Sequence, residues 1–198
     1  MMKIVLATQN LHKVREILEI WGTVPFEVLT LKDFPNFPNV IEDGKTYVEN
    51  SLKKAREISQ FTGLIAVADD SGIEVEGLDW GPGLYSARFA GEKATDAQRN
   101  QHLLNLLKDY PMGHPARNAR FRCVASIVTP EGKEWVCEGT VEGEILNHLE
   151  GANGFGYDPI FLLPERSITT AQLSPEEKNL MSHRGKAFRK VKKILEKL

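Results

Sequence analysis

Two β-rich stretches, residues 121–128 and 135–145, are separated only by a turn built on Pro130-Glu131-Gly132-Lys133. So short a connection lays the chain back along itself and predicts a long hairpin, so antiparallel pairing enters whatever sheet forms. The first half of the chain is built differently. Residues 3–7 read as a buried strand, followed from Leu11 by a helix whose Leu11, Val14, Leu18 and Trp21 recur at spacings of three and four. Gly22 and Pro25 stop that helix, and residues 26–29 form a second short strand. Thr46 with Glu49 three residues on is a capping box that opens a helix to about residue 60, and the apolar run 64–68 then ends abruptly in Asp69-Asp70-Ser71-Gly72. Strands alternating with helices, then a hairpin, place the chain in the α/β class with a mixed sheet.

The rest of the chain agrees with that class. Gly77, Gly81, Pro82, Gly83 and Gly91 mark an irregular loop, and Thr95 with Gln98 caps a leucine-rich helix. Residues 153–157 are glycine-rich, 159–163 read as a short strand, and Ser174-Pro175-Glu176-Glu177 starts a helix with proline at its first position. A closing amphipathic helix carries Val191, Ile194, Leu195 and Leu198. The length, 198 residues, fits one domain or two small lobes sharing a core. With 25 Lys and Arg against 27 Asp and Glu, the net charge of -2 lacks the basic excess that a nucleic-acid polymer demands. The apolar runs are too short to span a bilayer, so no membrane partner is expected. Cys123 and Cys137 form no CxxC pair; they read as small core residues of a protein in a reducing compartment, the cytoplasm.

Three places could carry chemistry. Thr8-Gln9-Asn10-Leu11-His12-Lys13 lies between the first strand and first helix, where free N–H groups, the positive dipole end and Lys13 favour a phosphate; alternatively Asn10 merely caps the helix and Lys13 is solvated. Asp69-Asp70 brings two acids to the end of a buried strand. Because adjacent strand side chains point to opposite faces, only one should be the working acid, unless the pair is simply an Asx turn. Aspartate oxygens suit Mg2+, which needs only one or two carboxylates beside substrate phosphates; Glu42 is the better additional ligand, because Glu49 has its capping role. Phe155-Gly156-Tyr157-Asp158, with Lys178 and Ser182-His183-Arg184-Gly185, offers a stacking face and hydrogen-bonding groups for a base.

Taken in order, the segments 8–13, 69–72, Gly81-Pro82-Gly83-Leu84-Tyr85-Ser86-Ala87-Arg88-Phe89, 154–161 and 176–185 resemble the inosine triphosphate pyrophosphatase family, and they run nearly the whole chain. The resemblance implies an elongated mixed sheet shared by two α/β lobes with the active cleft between them. It also implies a homodimer and a Mg2+-dependent cut of ITP, dITP or XTP to the nucleoside monophosphate and pyrophosphate. By motif, Thr8, Gln9, Asn10 and Lys13 would hold the triphosphate, Asp70 would be base and metal ligand, Ser71 would touch substrate, and Glu42 would be the second metal acid. Phe155, Gly156, Tyr157 and Asp158, with Lys178, His183 and Arg184, would form the nucleoside pocket. Gln9 departs from the glycine common in relatives, and a positive φ there would strain it.

The chemistry implied is attack of water on the α-phosphoryl group, with Asp70 as base. Donors from His183 or Arg184 facing a 6-carbonyl would reject the 6-amino group of adenine. The alternatives are a phosphohydrolase that releases phosphate from the γ position, and a nucleotide-binding regulator without turnover. The glycine-rich GxxxxGK[ST] pattern of many ATPases is absent.

Overall fold

The computed structural model describes all 198 residues. In chain order the elements are β1 (Lys3–Leu6), α1 (Leu11–Trp21), β2 (Glu27–Thr30), α2 (Tyr47–Thr62), β3 (Ile65–Val75) and β4 (Gly81–Pro82). There follow α3 (Asp96–Leu106), β5 (Asn118–Val128), β6 (Glu134–Ile145), β7 (Phe161–Leu163), β8 (Ile168–Thr169), α4 (Pro175–Met181) and α5 (His183–Leu195). The strands form an eight-stranded sheet in the order β2-β1-β3-β5-β6-β7-β8, with β4 against β3. β1 runs parallel to β2 and β3, whereas β6 and β7 pair antiparallel, so the sheet is mixed as expected. No helix is long and apolar enough to cross a membrane.

The chain divides into two compact units: residues 1–70, 123–139 and 183–198, and residues 71–122 and 140–182. In the first, the period of two along β1 sends Ile4 and Leu6 into a core with Ile17 and Trp21 of α1 and Phe188, Val191 and Leu195 of α5. Val5 and Ala7 join a second core with Ala55 and Ile58 of α2. Both faces of β1 are therefore covered, which is why its run is apolar throughout. Trp21 packs edge-on against Phe26 with ring centroids 5.8 Å apart, and its indole N–H donates to the Phe188 carbonyl at 2.9 Å. Its truncation to alanine would cost about 3–5 kcal/mol.

The second unit is built around Ile73, Val75, Leu103, Leu107, Phe121, Val141, Ile145, Tyr157 and Phe161. Buried Arg117 is spent on the backbone: Nε donates to Tyr110 O, Nη1 to Ile145 O and Leu146 O, and Nη2 to Leu107 O, at 2.8–3.0 Å. Four carbonyls, one of them just past the end of α3, thus share one guanidinium.

Several expectations are corrected. The strand at 64–68 does not end at the acids: β3 runs through Asp69 and Asp70 to Val75, so neither sits in an Asx turn. Leu11 and Leu18 are 57% and 41% exposed, because the buried stripe of α1 is offset onto Ile17 and Trp21. Leu198 lies beyond α5 and is 52% exposed. Pro159 and Ile160 belong to a 3-10 turn and the strand starts at Phe161, since proline at a turn's first positions suits its fixed φ. The Thr46 hydroxyl accepts from Glu49 N, but Glu49 Oε2 reaches past Thr46 to Lys45 N at 2.6 Å, so the capping box is only half made.

Candidate active site

In the first unit, polar side chains gather where β3 passes between α1 and α2. Asn10 caps α1, its Oδ1 accepting from His12 N at 3.0 Å and Lys13 N at 3.3 Å, while its own N–H donates to Thr8 Oγ1 at 3.2 Å. Lys13 Nζ reaches Asp69 Oδ2 on β3 at 2.9 Å. Gln9 is not among the residues with positive φ, so the turn carries no strain there.

Asp69 and Asp70 part company. Asp69 is buried, faces Lys13, and has Arg184 Nη2 at 3.5 Å from the same oxygen, while Arg184 Nη1 pairs with Glu16 at 2.6 Å. Burial alone would raise the Asp69 pKa, but Lys13, Arg184 and Lys54 outweigh it and hold the carboxyl well below the usual range. Its Oδ1 nonetheless has no hydrogen-bond partner. Asp70 points elsewhere and accepts from Asn50 Nδ2 at 2.9 Å. Burial pushes its carboxyl above the ordinary value, against the opposing pull of Lys54, Asn50 and Lys13, and the charge of Glu42 adds to the rise.

Lys54 was not singled out by the sequence, yet it links these groups: its Nζ donates to the Asp69 carbonyl at 2.5 Å and to Glu42 Oε2 at 2.9 Å. The available signal was the spacing of Asn50 and Lys54, four apart on one face of α2. Cys123 Sγ lies 3.9 Å from Asp69 Oδ2; burial, with that charge beside it, pushes the thiol up and makes it inert. The second half of the expected base site divides between the units. His183 and Arg184 open α5 in the first unit, both buried. There β6 approaches so closely that a Cβ on Gly139 would lie 2.1 Å from the His183 carbonyl, so only glycine fits.

Phe155, Gly156, Tyr157, Asp158 and Lys178 come together in the second unit. Asp158 Oδ2 accepts from Phe155 N at 2.8 Å and Lys178 Nζ at 2.5 Å, and its Oδ1 accepts from Thr170 Oγ1 at 2.9 Å. Asp158 thus braces the loop. Lys178 Nζ stands 5.0 Å from the centre of the Phe155 ring. Gly154 has φ +77°, and a Cβ there would strike Asp158 Oδ2. Tyr157 is buried and its hydroxyl donates to Ser86 O at 2.7 Å, a packing role; burial pushes that phenol up. Ser71 follows Asp70 directly on β3.

No three His, Cys, Asp or Glu side chains converge as a closed metal cage. Glu42 and Asp70 both offer hard carboxylate oxygen, the donor chemistry that an open Mg2+ site takes, and Lys54 Nζ bonds Glu42 Oε2 at 2.9 Å.

Fold and site together define a mixed α/β protein with an adjacent acidic pair framed by Lys13, Lys54 and Arg184. The Ham1 family model matches residues 4–194, and the chain belongs to that family. It is 49% identical over 197 residues to a dITP/XTP pyrophosphatase of Desulforamulus reducens, covering 100% of this chain and 97% of that one. It is 48% identical over 188 residues to a dITP/XTP pyrophosphatase of Geobacter sulfurreducens, covering 95% and 94%. Among solved structures, a HAM1 protein from Coxiella burnetii superposes with a TM-score of 0.90 at 40% identity over 100% of both chains, and the Staphylococcus aureus Ham1 protein with 0.87 at 38% over 98% of both.

Proposed function

We propose that this protein is a nucleoside-triphosphate pyrophosphatase that hydrolyses dITP, ITP and XTP to the monophosphate and pyrophosphate. The relatives' names and the family support that reading. The observation that carries it is the divergence of the adjacent acids: one is held ionised as a counter-charge, while burial raises the other above its ordinary value and leaves it the more basic of the two. Lys13 and Lys54 supply positive charge for the phosphates, and the Thr8 to Asn10 turn presents backbone and side-chain polar groups to them. Asp70 accepts the proton of a water directed at the α-phosphorus, and Asn50 holds the carboxylate in place. Glu42 and Asp70 would hold Mg2+, which when bound neutralises phosphate charge and acidifies water.

At the base end, Phe155 provides the stacking face and Lys178, fixed by Asp158, a donor beside it. Arg184 is spent on Glu16 and Asp69, so we assign it to positioning, next to His183. A homodimer in the cytoplasm goes with this reading, and sedimentation measures the first of these. The function itself is tested by chromatography of the products of dITP and Mg2+: dIMP with pyrophosphate is expected, while dIDP with phosphate, or no product, refutes it.

A further inference from the structure

Gly154 and Gly156 flank Phe155 with φ of +77° and +64°. Two such residues widen the conformational freedom of the loop, so the contacts that grip it matter. Asp158 grips Phe155 from within the loop. The grip on Gly156 comes from α3, sixty residues earlier in the chain. Asp96 Oδ2 accepts from Gly156 N at 2.7 Å. Asn100, one turn further along the same helix face, donates from Nδ2 to Gly156 O at 3.0 Å.

Neither side chain makes the cap of the helix. Thr95 and Gln98 already complete the capping box of α3. Asn100 is 2% exposed and its Oδ1 has no hydrogen-bond partner, a cost that an apolar residue would avoid. What it contributes is the bond to Gly156. The clamp is itself anchored: Arg99 pairs with Asp96 and donates to Ala87 O at 2.9 Å and Ala94 O at 2.5 Å. Tyr157, the next loop residue, donates to Ser86 O, so residues 156 and 157 are tied to one frame.

We infer that Asp96 and Asn100 are positioning residues that clamp both backbone polar groups of Gly156 and thereby set the platform on which Phe155 meets the base. The inference rests on the assignment of this loop to the base. It acts through preorganisation: a loop already held in its binding conformation loses less entropy when substrate arrives.

The test compares Asp96→Ala, Asp96→Asn and Asn100→Leu in the full chain. In Asp96→Ala and Asn100→Leu the KM for dITP rises about tenfold, the worth of one strong hydrogen bond, with kcat within about twofold of wild type. Asp96→Asn keeps an acceptor oxygen and restores KM to within about threefold of wild type. Unchanged KM in the first two variants overturns the inference. So does a fall of kcat that follows melting temperature, with Asp96→Asn no better than Asp96→Ala, because that is the signature of a merely structural role. Amide hydrogen exchange at Gly156 reads the clamp without substrate: exchange is faster in Asp96→Ala, and unchanged protection overturns the inference. The two failures separate, since absence of pyrophosphate release by the wild type refutes the chemistry, whereas unchanged Gly156 exchange refutes the clamp.

Discussion

Asp69 and Asp70 are neighbours on β3 with opposite electrostatics: Asp69 faces Lys13 and Arg184 and is held ionised, while Asp70 turns to Asn50 and is pushed toward the protonated form. The alternation of a strand is what divides them. A base must give up solvation to gain basicity, and that costs the fold. Asp70→Asn is therefore expected to cut kcat about a hundredfold or more while substrate still binds. It should also raise the melting temperature at neutral pH, because a carboxyl with a raised folded pKa opposes folding once ionised. Calorimetry and single-turnover kinetics on one preparation check both.

The pH profile gives a second expectation. With burial raising Asp70, its carboxyl in the metal-free protein titrates above the ordinary aspartate value of 3.8. Lys54 opposes that rise, so Lys54→Gln moves that titration to higher pH. Carboxyl-carbon NMR titration of both proteins without Mg2+ measures the shift, and its sign is the informative part.

Asp69 titrates the other way. Its folded pKa is below the unfolded value of 3.8, so its stabilisation is fully present above that value and lost as pH falls below it. Asp69→Asn is expected to flatten the acid limb of the stability curve. At neutral pH it costs about 3–5 kcal/mol, because Arg184 is left buried with one counter-charge fewer. Denaturant titrations between neutral and acid pH read both effects.

Arg117 gives a change in stability without a change in chemistry. Arg117→Leu removes the donors of four carbonyls, three of them in buried bonds, and is expected to cost about 3 kcal/mol or more. KM for dITP and kcat measured well below the melting temperature should stay at wild-type values.

Much of this was legible in the sequence where the cause is local. The caps at Asn10, Thr95 and Ser174, the stop at Gly22, the turn between β5 and β6 and the apolar strand β1 are written in adjacent residues. The course of β3 through Asp69 and Asp70 was not, because ionised carboxylates end a buried strand unless cations from elsewhere receive them. Lys13, Lys54 and Arg184 come from α1, α2 and α5, far apart in sequence. For the same reason, Lys54 and the Asp96–Gly156 contact were invisible until the chain was folded. Leu11 and Leu18 misled because a three-and-four spacing admits more than one face, and the packing of α5 selected Ile17.

The central claim is that water, directed by Asp70, attacks the α-phosphorus. Hydrolysis of dITP with Mg2+ in water enriched in heavy oxygen, followed by mass spectrometry of the products, tests it most directly. The account predicts one heavy oxygen in dIMP and none in pyrophosphate, with the signal abolished in Asp70→Asn; label appearing in the pyrophosphate would contradict it.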